Sequence, residues 1–547
     1  MNTTRRLNLL ALFLLAAFDA SGSHAQSVRG GATISSMQKK AASSRKADWA
    51  HWGPEQGQYS SWITHSNRLV PTYVFGGNLG KVAGENSVYR SKEALKSLYG
   101  KLPEKTYNPN ANYFDQTDVY RLQMEAIKSG KKKIILMVFD GMDWQTARAA
   151  ALFKTKKVEY DRGRGTGLSF QDYDRVETDF GSFVSSPHNN GTNIDVNTQQ
   201  VKNPGGATTG GYNAGLGGDV PWISEARIDP LYLIAKHDDL KHAYTDSAAS
   251  ATSMTSGYKT YNNAINVDFS GREILPLGRT LQEKGFAVGA VTSVPISHAT
   301  PACAYASNVH RSDYQDITRD LIGVPSVYHP GGLKGLDVLI GCGWGEAKKE
   351  DGAQGKNFVP GNRYLAKADL EAIQRGKDGF VTAIRTPGKS GKKRLLAAAA
   401  TAAQEKKRLL GFYGVQGGHL PFQTADGDYD TVPSFANPNP LAAEEYTPAD
   451  LNENPELHHM TQAALDVLDA RSERWWLMVE AGDVDWANHA NNIDNSIGAV
   501  LSGDRAFDCI TNWVGKHGGW QDFYLIVTAD HGHYLVIDQP QAIANAR

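Results

Sequence analysis

The chain has 547 residues, of which 41% are hydrophobic and 21% charged, and its formal net charge is −1. This composition is ordinary for a soluble globular protein and excludes a broadly disordered chain. A net charge so close to zero gives no general attraction to nucleic acid or to an anionic membrane surface, so any anion must be bound locally. We therefore expect no nucleic-acid-specific binding.

The first residues have the pattern of a secretory signal peptide. Arg5 and Arg6 precede an apolar run over residues 7–18, and the sequence Ser-His-Ala at 23–25 offers small residues for cleavage. The alternative is an uncleaved membrane anchor, but the run is shorter than the roughly 20 residues that a span needs. We predict a signal peptide over residues 1–25 and a periplasmic or secreted mature chain without a membrane span.

Apolar runs of strand length end repeatedly where polar, chemically capable residues begin. They span residues 134–139, 287–291, 338–340, 475–479 and 524–527. Their hydrophobicity is continuous rather than alternating, which is typical of parallel strands buried on both faces. An Ala-rich segment at 395–408 and a one-sided apolar pattern at 460–468 predict helices between them. This order favours one α/β domain with a large doubly wound, mostly parallel sheet flanked by helices, which gathers ligands at the carboxyl ends of its strands.

Two stretches depart from this order. Residues 26–130 form an aromatic and polar N-terminal extension, and residues from about 155 to 240 are rich in Gly, Asn and Thr. A loop of that length inside a compact domain is usually a functional insertion or a lid. We predict a catalytic domain over residues 131–547 that contains this Gly-rich insertion.

The three cysteines are Cys303, Cys342 and Cys509, an odd number without C-x-x-C spacing. This pattern supports neither a thiolate zinc site nor a disulfide framework. One bridge with one buried thiol remains open, and we favour three small core hydrophobes.

Carboxylate and imidazole side chains follow three of the predicted strands. They are Asp140 after residues 134–139, Glu480, Asp485 and His489 after 475–479, and Asp530, His531 and His533 after 524–527. Asp485 and His489 are four residues apart, so in a helix they share one face and can hold one zinc ion. Each cluster alone also fits a surface loop or a helix cap. Three clusters at strand ends together favour a metal centre.

Ser247 lies in a run of small residues at the predicted start of a helix. The free N–H groups of a helix N-terminus suit a phosphate, and metal coordination can activate an oxygen nucleophile there. By itself the motif fits a plain Ser/Thr N-cap equally well.

Taken together, these motifs resemble those of the alkaline phosphatase family. Residues 245–252 resemble its nucleophile segment, 257–262 the stretch that follows, and 298–302 its magnesium-site segment, while Arg311 falls where a phosphate-clamping Arg is expected. The steps from Glu480 to Asp485 and on to His489 also match. The resemblance runs from about Lys131 to His533, roughly three quarters of the chain.

The resemblance implies two zinc ions and one magnesium ion. Their ligands would be Asp485, His489 and a third His for the first zinc, Asp140, Asp530, His531 and the Ser247 oxygen for the second, and Asp140, Thr300 and Glu480 for magnesium. Paired metals of this kind stabilise both the entering and the leaving oxygen of an in-line displacement.

The resemblance also assigns residues around the metals. Arg311 would hold two phosphate oxygens with its planar fork, and Asp246 would orient it. His533 would hydrogen-bond a liganding carboxylate rather than bind metal. His298 and Trp486 stand where some members carry Asp and Lys, so we expect altered phosphate affinity and magnesium dependence.

The pattern breaks at the third His of the first zinc. The family normally supplies it from a segment well beyond the residues matching Asp530 and His531, yet no His follows His533, and we expect the closing strand of the sheet to be missing as well. Either the chain is truncated at its C-terminal end, which we favour, or His419 or His533 substitutes, or the site is incomplete.

The resulting expectation is a phosphatase that hydrolyses phosphate monoesters through a phosphoserine at Ser247. The alternatives are a phosphodiesterase or sulfatase of the same superfamily, or a catalytically impaired homologue that binds metal or phosphate. The resemblance further implies a homodimer.

Overall fold

The computed structural model describes residues 32–375, 379–432 and 443–547, together with the backbone of two short strands, Ser434–Ala436 and Asn439–Leu441. The predicted signal peptide over residues 1–25 lies outside the described residues. Within the described part, none of the helices has both the length and the apolar character needed to cross a membrane.

A ten-stranded sheet forms the centre of the described chain. Its strands, in chain order, are β1 (Val70–Phe75), β2 (Phe114–Asp115), β3 (Lys133–Phe139), β4 (Thr178–Val184), β5 (Ala287–Pro295), β6 (Val338–Cys342), β7 (Phe380–Ile384), β8 (Arg408–Phe412), β9 (Trp475–Ala481) and β10 (Phe523–Thr528). Their order across the sheet is β7-β8-β6-β5-β9-β3-β10-β1-β4-β2. In this sheet order, the first seven strands, β7-β8-β6-β5-β9-β3-β10, are mutually parallel. Strand β1 is antiparallel to both of its neighbours. The predicted α/β fold with a mostly parallel sheet is confirmed.

Helices connect these strands and cover the sheet. They are α1 (Ile34–Ser44), α2 (Lys92–Tyr99), α3 (Gln116–Lys128), α4 (Trp144–Thr155), α5 (Ser169–Asp172), α6 (Ala214–Gly217), α7 (Pro230–Leu233), α8 (Ser247–Ser256), α9 (Leu277–Glu283), α10 (Ala299–Cys303), α11 (Tyr314–Ile322), α12 (Lys367–Gln374), α13 (Gly391–Glu405), α14 (Pro448–Glu453), α15 (Leu457–Arg471), α16 (Asp483–His489), α17 (Ile493–Lys516) and α18 (Pro540–Asn545). The helix predicted over 395–408 ends earlier, at Glu405, because Lys406 has a left-handed backbone (φ 52°) and Arg408 begins β8.

The central strands are buried along their length. Every residue of β5, β6, β9 and β10 is buried, which accounts for their continuous rather than alternating hydrophobicity. Cys303 and Cys342 lie in this core, and all three cysteines are free thiols.

Residues predicted as extension and insertion contribute strands to the same sheet. Strands β1 and β2 come from residues 26–130, and β4 comes from residues 155–240. The rest of the second stretch holds short helices and two small antiparallel pairs, Asn189–Asn190 with Thr208–Thr209 and Asn193–Asp195 with Gln200–Asn203.

Residues 51–75, here called the N-terminal segment, run antiparallel to residues 525–536. Strand β1 pairs with β10, a bridge joins Ser66 to Gly532, and His51–Trp52 pairs with Leu535–Val536. Backbone hydrogen bonds therefore hold this segment beside the residues that follow β10.

Candidate metal centre

Three adjacent strands bring buried carboxylates to one edge of the sheet. Asp140 directly follows β3, Glu480 lies near the end of β9, and Asp530 follows β10. Each of these side chains is fully buried. Because the three strands are parallel neighbours, their carboxyl ends place these acids together, as ligand sites in such sheets generally are.

The turn after Asp140 depends on a glycine. Gly141 has φ 72°, and a Cβ there would lie 2.7 Å from the His533 ring and 3.2 Å from the Asp485 Cα. Its N–H donates to Asp530 Oδ1 at 2.9 Å. A larger residue at this turn would therefore displace the elements that carry the predicted ligands.

Asp140, Asp530 and His531, here called the strand-end group, lie within ligand distance of one another. His531 Nε2 is 3.2 Å from Asp140 Oδ1 and 3.5 Å from Asp530 Oδ2. Ser247 is the first residue of α8, and its Oγ lies 3.1 Å from His531 Nε2 and 3.4 Å from Asp140 Oδ1. The predicted nucleophile thus lies against the strand-end group.

Asp485 and His489, here called the helix group, both lie on α16. His489 Nε2 is 3.4 Å from Asp485 Oδ1, so the predicted helical pairing is present. His533 Nε2 lies 2.7 Å from the same carboxylate oxygen, where it donates a hydrogen bond, as expected of a residue that orients a ligand.

His65 also reaches this centre, and sequence reasoning missed it. The residue lies in the N-terminal segment, its Nε2 is 3.9 Å from Asp485 Oδ1, and its ring centroid is 3.9 Å from that of His531. His65, Asp485, His531 and His533 form a buried set with mutual distances suited to one ion. A signal was present, since His65 stands just before a mainly apolar stretch of strand length, Leu69–Phe75.

His419, the other predicted substitute, lies elsewhere. Its Nε2 faces Glu444 at 3.3 Å, its Nδ1 faces the Leu420 carbonyl, and its ring packs on Trp486. Both ring nitrogens of His419 thus lie against atoms outside the metal-ligand groups.

Asp140 belongs also to a third group, with Glu480 and His298. Thr292 donates a hydrogen bond to one Glu480 oxygen, while the other oxygen, Oε1, is buried without a hydrogen-bond partner. The Thr300 hydroxyl is likewise buried and without a hydrogen-bond partner. The magnesium ligands that the resemblance implies therefore include two oxygens with unused bonding capacity.

Arg311 faces the centre from a cleft of about 560 Å³. Its Nη1 donates to Asp246 Oδ2 at 2.9 Å, and its Nη2 lies 3.0 Å from His298 Nε2. The cleft is lined by His65, Asn263, His298, Arg311, Tyr314, Asp485, Trp486, His489 and Ala490. Asp246 thus contacts Arg311 as expected, and the Trp486 ring packs edge-on against His298.

The acids of the centre differ in their ionisation. Burial, followed by repulsion from neighbouring carboxylates, raises the pKa of Asp140 well above its usual range, and burial raises the pKa of Glu480 to about 8 and that of Asp530 to about 6. Burial opposes ionisation of Asp485 too, but His489 and the hydrogen bond from His533 lower its pKa well below its usual range. Cations in contact with the carboxyls whose pKa is raised would favour the charged forms of those carboxyls.

Three histidines of the centre are held neutral. Burial lowers the pKa of His65 and His531 well below the usual range, and burial followed by the charge of Arg311 lowers the pKa of His298 to about 3. A neutral imidazole keeps a ring lone pair, which is the form that binds zinc.

The donor set fits the metals that the resemblance implies. Several candidate ligands carry a buried atom without a hydrogen-bond partner, namely Asp140 Oδ2, Asp530 Oδ2, Glu480 Oε1, Thr300 Oγ1 and His65 Nε2. Such atoms are costly to bury unless something binds them. Mixed imidazole and carboxylate donors suit zinc, and the all-oxygen set of Asp140, Thr300 and Glu480 suits magnesium.

A family model described as alkaline phosphatase matches residues 225–543, more than half of the chain. The chain belongs to the alkaline phosphatase family. It is 26% identical over 297 residues to alkaline phosphatase 4 of Bacillus subtilis, which covers 54% of this chain and 50% of that protein. It is also 26% identical over 331 residues to the alkaline phosphatase of Escherichia coli K12, covering 57% of this chain and 63% of the other. The chain therefore spans between half and two thirds of the length of these curated relatives.

Solved alkaline phosphatase structures are also similar to this chain. The Thermus thermophilus enzyme gives a TM-score of 0.45 at 22% identity, covering 74% of this chain and 60% of that one. The cold-active enzyme of a Shewanella species gives a TM-score of 0.42 at 21% identity, with 73% and 68% covered.

The alkaline phosphatase match covers the predicted nucleophile but not all of the predicted metal centre. Ser247, Arg311 and His531 lie inside the matched range, whereas His65 and Asp140 precede it. The contribution of these last two residues therefore rests on their positions in the fold.

Proposed function

We propose that this member of the alkaline phosphatase family hydrolyses phosphate monoesters at the metal centre, with Ser247 as the nucleophile. The observation that carries the proposal is the position of the Ser247 hydroxyl against His531 and Asp140, directly after Asp246, which holds Arg311. A hydroxyl at a helix N-terminus, beside buried candidate metal ligands and next to a residue that holds an Arg fork, has the parts that phosphoryl transfer requires.

Two zinc ions and one magnesium ion would be held by the predicted ligands. The strand-end group with Ser247 would hold one zinc, the helix group would hold part of the other, and Asp140, Thr300 and Glu480 would hold magnesium. When bound, these metals supply Lewis-acid stabilisation of the charge that develops on the attacking and leaving oxygens.

The proposed reaction is a double displacement. Ser247 Oγ bonds to phosphorus as the ester P–O bond breaks, and the alcohol leaves with a proton. Water then attacks the phosphorus of the phosphoserine, the Ser247 O–P bond breaks, and inorganic phosphate is released. Each displacement inverts phosphorus, so the net result is retention.

Arg311 would select and hold the phosphate. Its planar guanidinium offers paired donors to two phosphate oxygens, and the contact with Asp246 at 2.9 Å fixes the plane of that fork. A monoester carries more charged oxygens than a diester, so an Arg beside several metals stabilises it more. This favours monoesters over the phosphodiesters or sulfates of the superfamily alternatives. Export to the periplasm or medium and assembly as a homodimer remain parts of the same proposal.

A comparison of Ser247→Ala with Ser253→Ala tests this proposal. Ser253 lies on the same helix, but its hydroxyl bonds the Ala249 carbonyl, so its loss should leave the site intact. We expect Ser247→Ala to lower hydrolysis of p-nitrophenyl phosphate by at least about 10³-fold, while Ser253→Ala stays near the unaltered rate.

The same assay separates the alternatives. Faster hydrolysis of bis(p-nitrophenyl) phosphate, or of p-nitrophenyl sulfate, would replace the monoesterase by the corresponding alternative. Metal binding without turnover on any of these esters would identify an impaired homologue. Full activity in Ser247→Ala would remove Ser247 from the mechanism.

A further inference from the structure

We propose that His65 is the third protein ligand of the zinc held by Asp485 and His489, so that the N-terminal segment completes the metal centre. The proposal rests on the metal centre of the proposed function. It assigns a role to a residue that lies outside the family match and far from the other ligands in the sequence.

His65 has the position and the unused bonding capacity of a ligand. Its Nε2 is buried without a hydrogen-bond partner, 3.9 Å from Asp485 Oδ1, and its ring centroid is 4.9 Å from that of His489. His489 Nε2 lies 3.4 Å from the same Asp485 oxygen. Two nitrogens and a carboxylate oxygen are the three-ligand protein set typical of a catalytic zinc, which keeps another position open for water or substrate.

The same segment also orients the second imidazole of the set. His489 Nδ1 lies 2.7 Å from the Ile63 carbonyl, two residues before His65. A hydrogen bond donated to that carbonyl leaves Nε2 as the nitrogen available to the metal. The N-terminal segment therefore contributes one ligand and fixes the tautomer of another.

Hydrogen bonds at His65 and at the residue after it hold His65 in position. The Trp62 indole N–H donates to the His65 carbonyl at 2.8 Å, and the Ser66 N–H donates to the Gly532 carbonyl at 2.8 Å. Strand β1 then continues along β10. His65 is thus held opposite the loop that carries Asp530 and His531.

His533 is the main rival for this role, and its bonding argues against it. Its Nε2 already donates to Asp485 Oδ1 at 2.7 Å, and the edge of the ring that carries Nε2 packs against Gly141. A ring that donates its proton to a liganding carboxylate orients that ligand. Because the His533 nitrogen that faces the site, Nε2, is used in this hydrogen bond, it is not available to bind zinc.

The metal content of His65→Gln tests the assignment on the full chain. We expect zinc-loaded, gel-filtered protein to hold two zinc ions per chain, and His65→Gln to hold one at the same free zinc. In competition with a chelating dye, the affinity of the lost zinc should fall by about 100-fold or more, beyond the range for residues that only orient ligands.

His51→Gln is the matched control. His51 is a buried His of the same segment, but its Nδ1 pairs with Asp538 at 2.8 Å, away from the centre. It should keep both zinc ions. Two zinc ions of unchanged affinity in His65→Gln would overturn the assignment, as would a greater loss in His533→Gln than in His65→Gln.

The unaltered protein provides a test that does not depend on how a variant folds. Zinc-edge X-ray absorption counts imidazole ligands, and the assignment predicts three of them, His65, His489 and His531, shared by two zinc ions. Two imidazoles would contradict it. The metal measurements test the His65 assignment whether or not esters are hydrolysed. A chain that holds two zinc ions, one of them bound by His65, but hydrolyses no ester would overturn only the proposed function.

Discussion

The strand-end group and the helix group of the metal centre are built in different ways. Asp140 and Asp530 follow β3 and β10, neighbouring parallel strands that are buried almost throughout, so the core itself fixes their positions. Asp485 and His489 lie on a short helix, and their proposed partner His65 arrives on the N-terminal segment, which pairs with β10 and with the residues that follow it. One half of the centre is thus part of the sheet, and the other depends on the docking of a distant segment.

Asp140→Asn should give the largest effect, because it breaks the half fixed by the sheet. Asp140 lies in both the strand-end group and the third group, so its loss would remove a charged ligand from two of the proposed metals at once. We expect hydrolysis of p-nitrophenyl phosphate to fall by about 10³-fold or more, which corresponds to several kcal/mol of lost charge stabilisation. Kinetics at saturating zinc and magnesium would measure this.

Asp143→Asn is the control for that change. Asp143 is also buried, but it accepts a hydrogen bond from the Thr146 N–H at the start of α4, which Asn accepts as well. Equal losses in the two variants would show that Asp140 matters for folding rather than for metal binding.

Arg311→Lys should have a smaller effect, because it leaves the ligands of both halves in place. Lys keeps the charge but loses the planar fork that contacts Asp246 and would hold two phosphate oxygens. We expect kcat/KM to fall by roughly 100-fold and inhibition by inorganic phosphate to weaken, with zinc content unchanged. Loss of zinc in this variant would place Arg311 among the determinants of metal binding instead.

The pH dependence of metal binding should distinguish the two halves of the centre by a smaller effect. In the metal-free chain the pKa of Glu480 is raised to about 8, so this carboxyl is protonated at neutral pH, whereas the pKa of Asp485 is lowered. Magnesium must displace the Glu480 proton, so its affinity should rise with pH up to about pH 8, by about tenfold per pH unit for this proton alone. Zinc affinity at the helix group should change less over the same range. Titrations with isothermal calorimetry in buffers of different ionisation enthalpy would count the protons released.

The same shift predicts how the stability of the metal-free chain varies with pH. The folded chain holds the Glu480 proton more tightly than the unfolded chain, whose pKa is near 4.5. This contribution to stability is complete below about pH 4.5 and is lost as the pH rises through about 8. Thermal unfolding after chelation should therefore occur at lower temperature at pH 8 than at pH 6, and magnesium should reduce the difference.

The sequence predicted the sheet half of the centre better than the helix half. The apolar runs before Asp140, Glu480 and Asp530 are continuous because their strands are buried on both faces. Such a run can be recognised from the sequence of each strand alone. The spacing of Asp485 and His489 was readable for the same reason, since a single helix places both on one face.

His65 was not predicted because its role depends on pairing between distant parts of the chain. The strand that follows it is antiparallel to β10, and it contains Pro71 and Thr72, which interrupt the apolar run. The family normally has its third His beyond the residues matching Asp530 and His531, and the substitutes considered, His419 and His533, leave out the N-terminal side of the chain. The structure instead places a buried His from the N-terminal side at this point, beside a strand, β1, that neighbours β10.

Anomalous scattering at the zinc edge, from crystals of the zinc-loaded full chain, tests the account most directly. We predict one zinc peak in contact with Asp485, His489 and His65. We predict a second zinc peak in contact with Asp140, Asp530 and His531, within reach of the Ser247 hydroxyl. A single peak, or a first peak that His65 does not contact, would contradict the account.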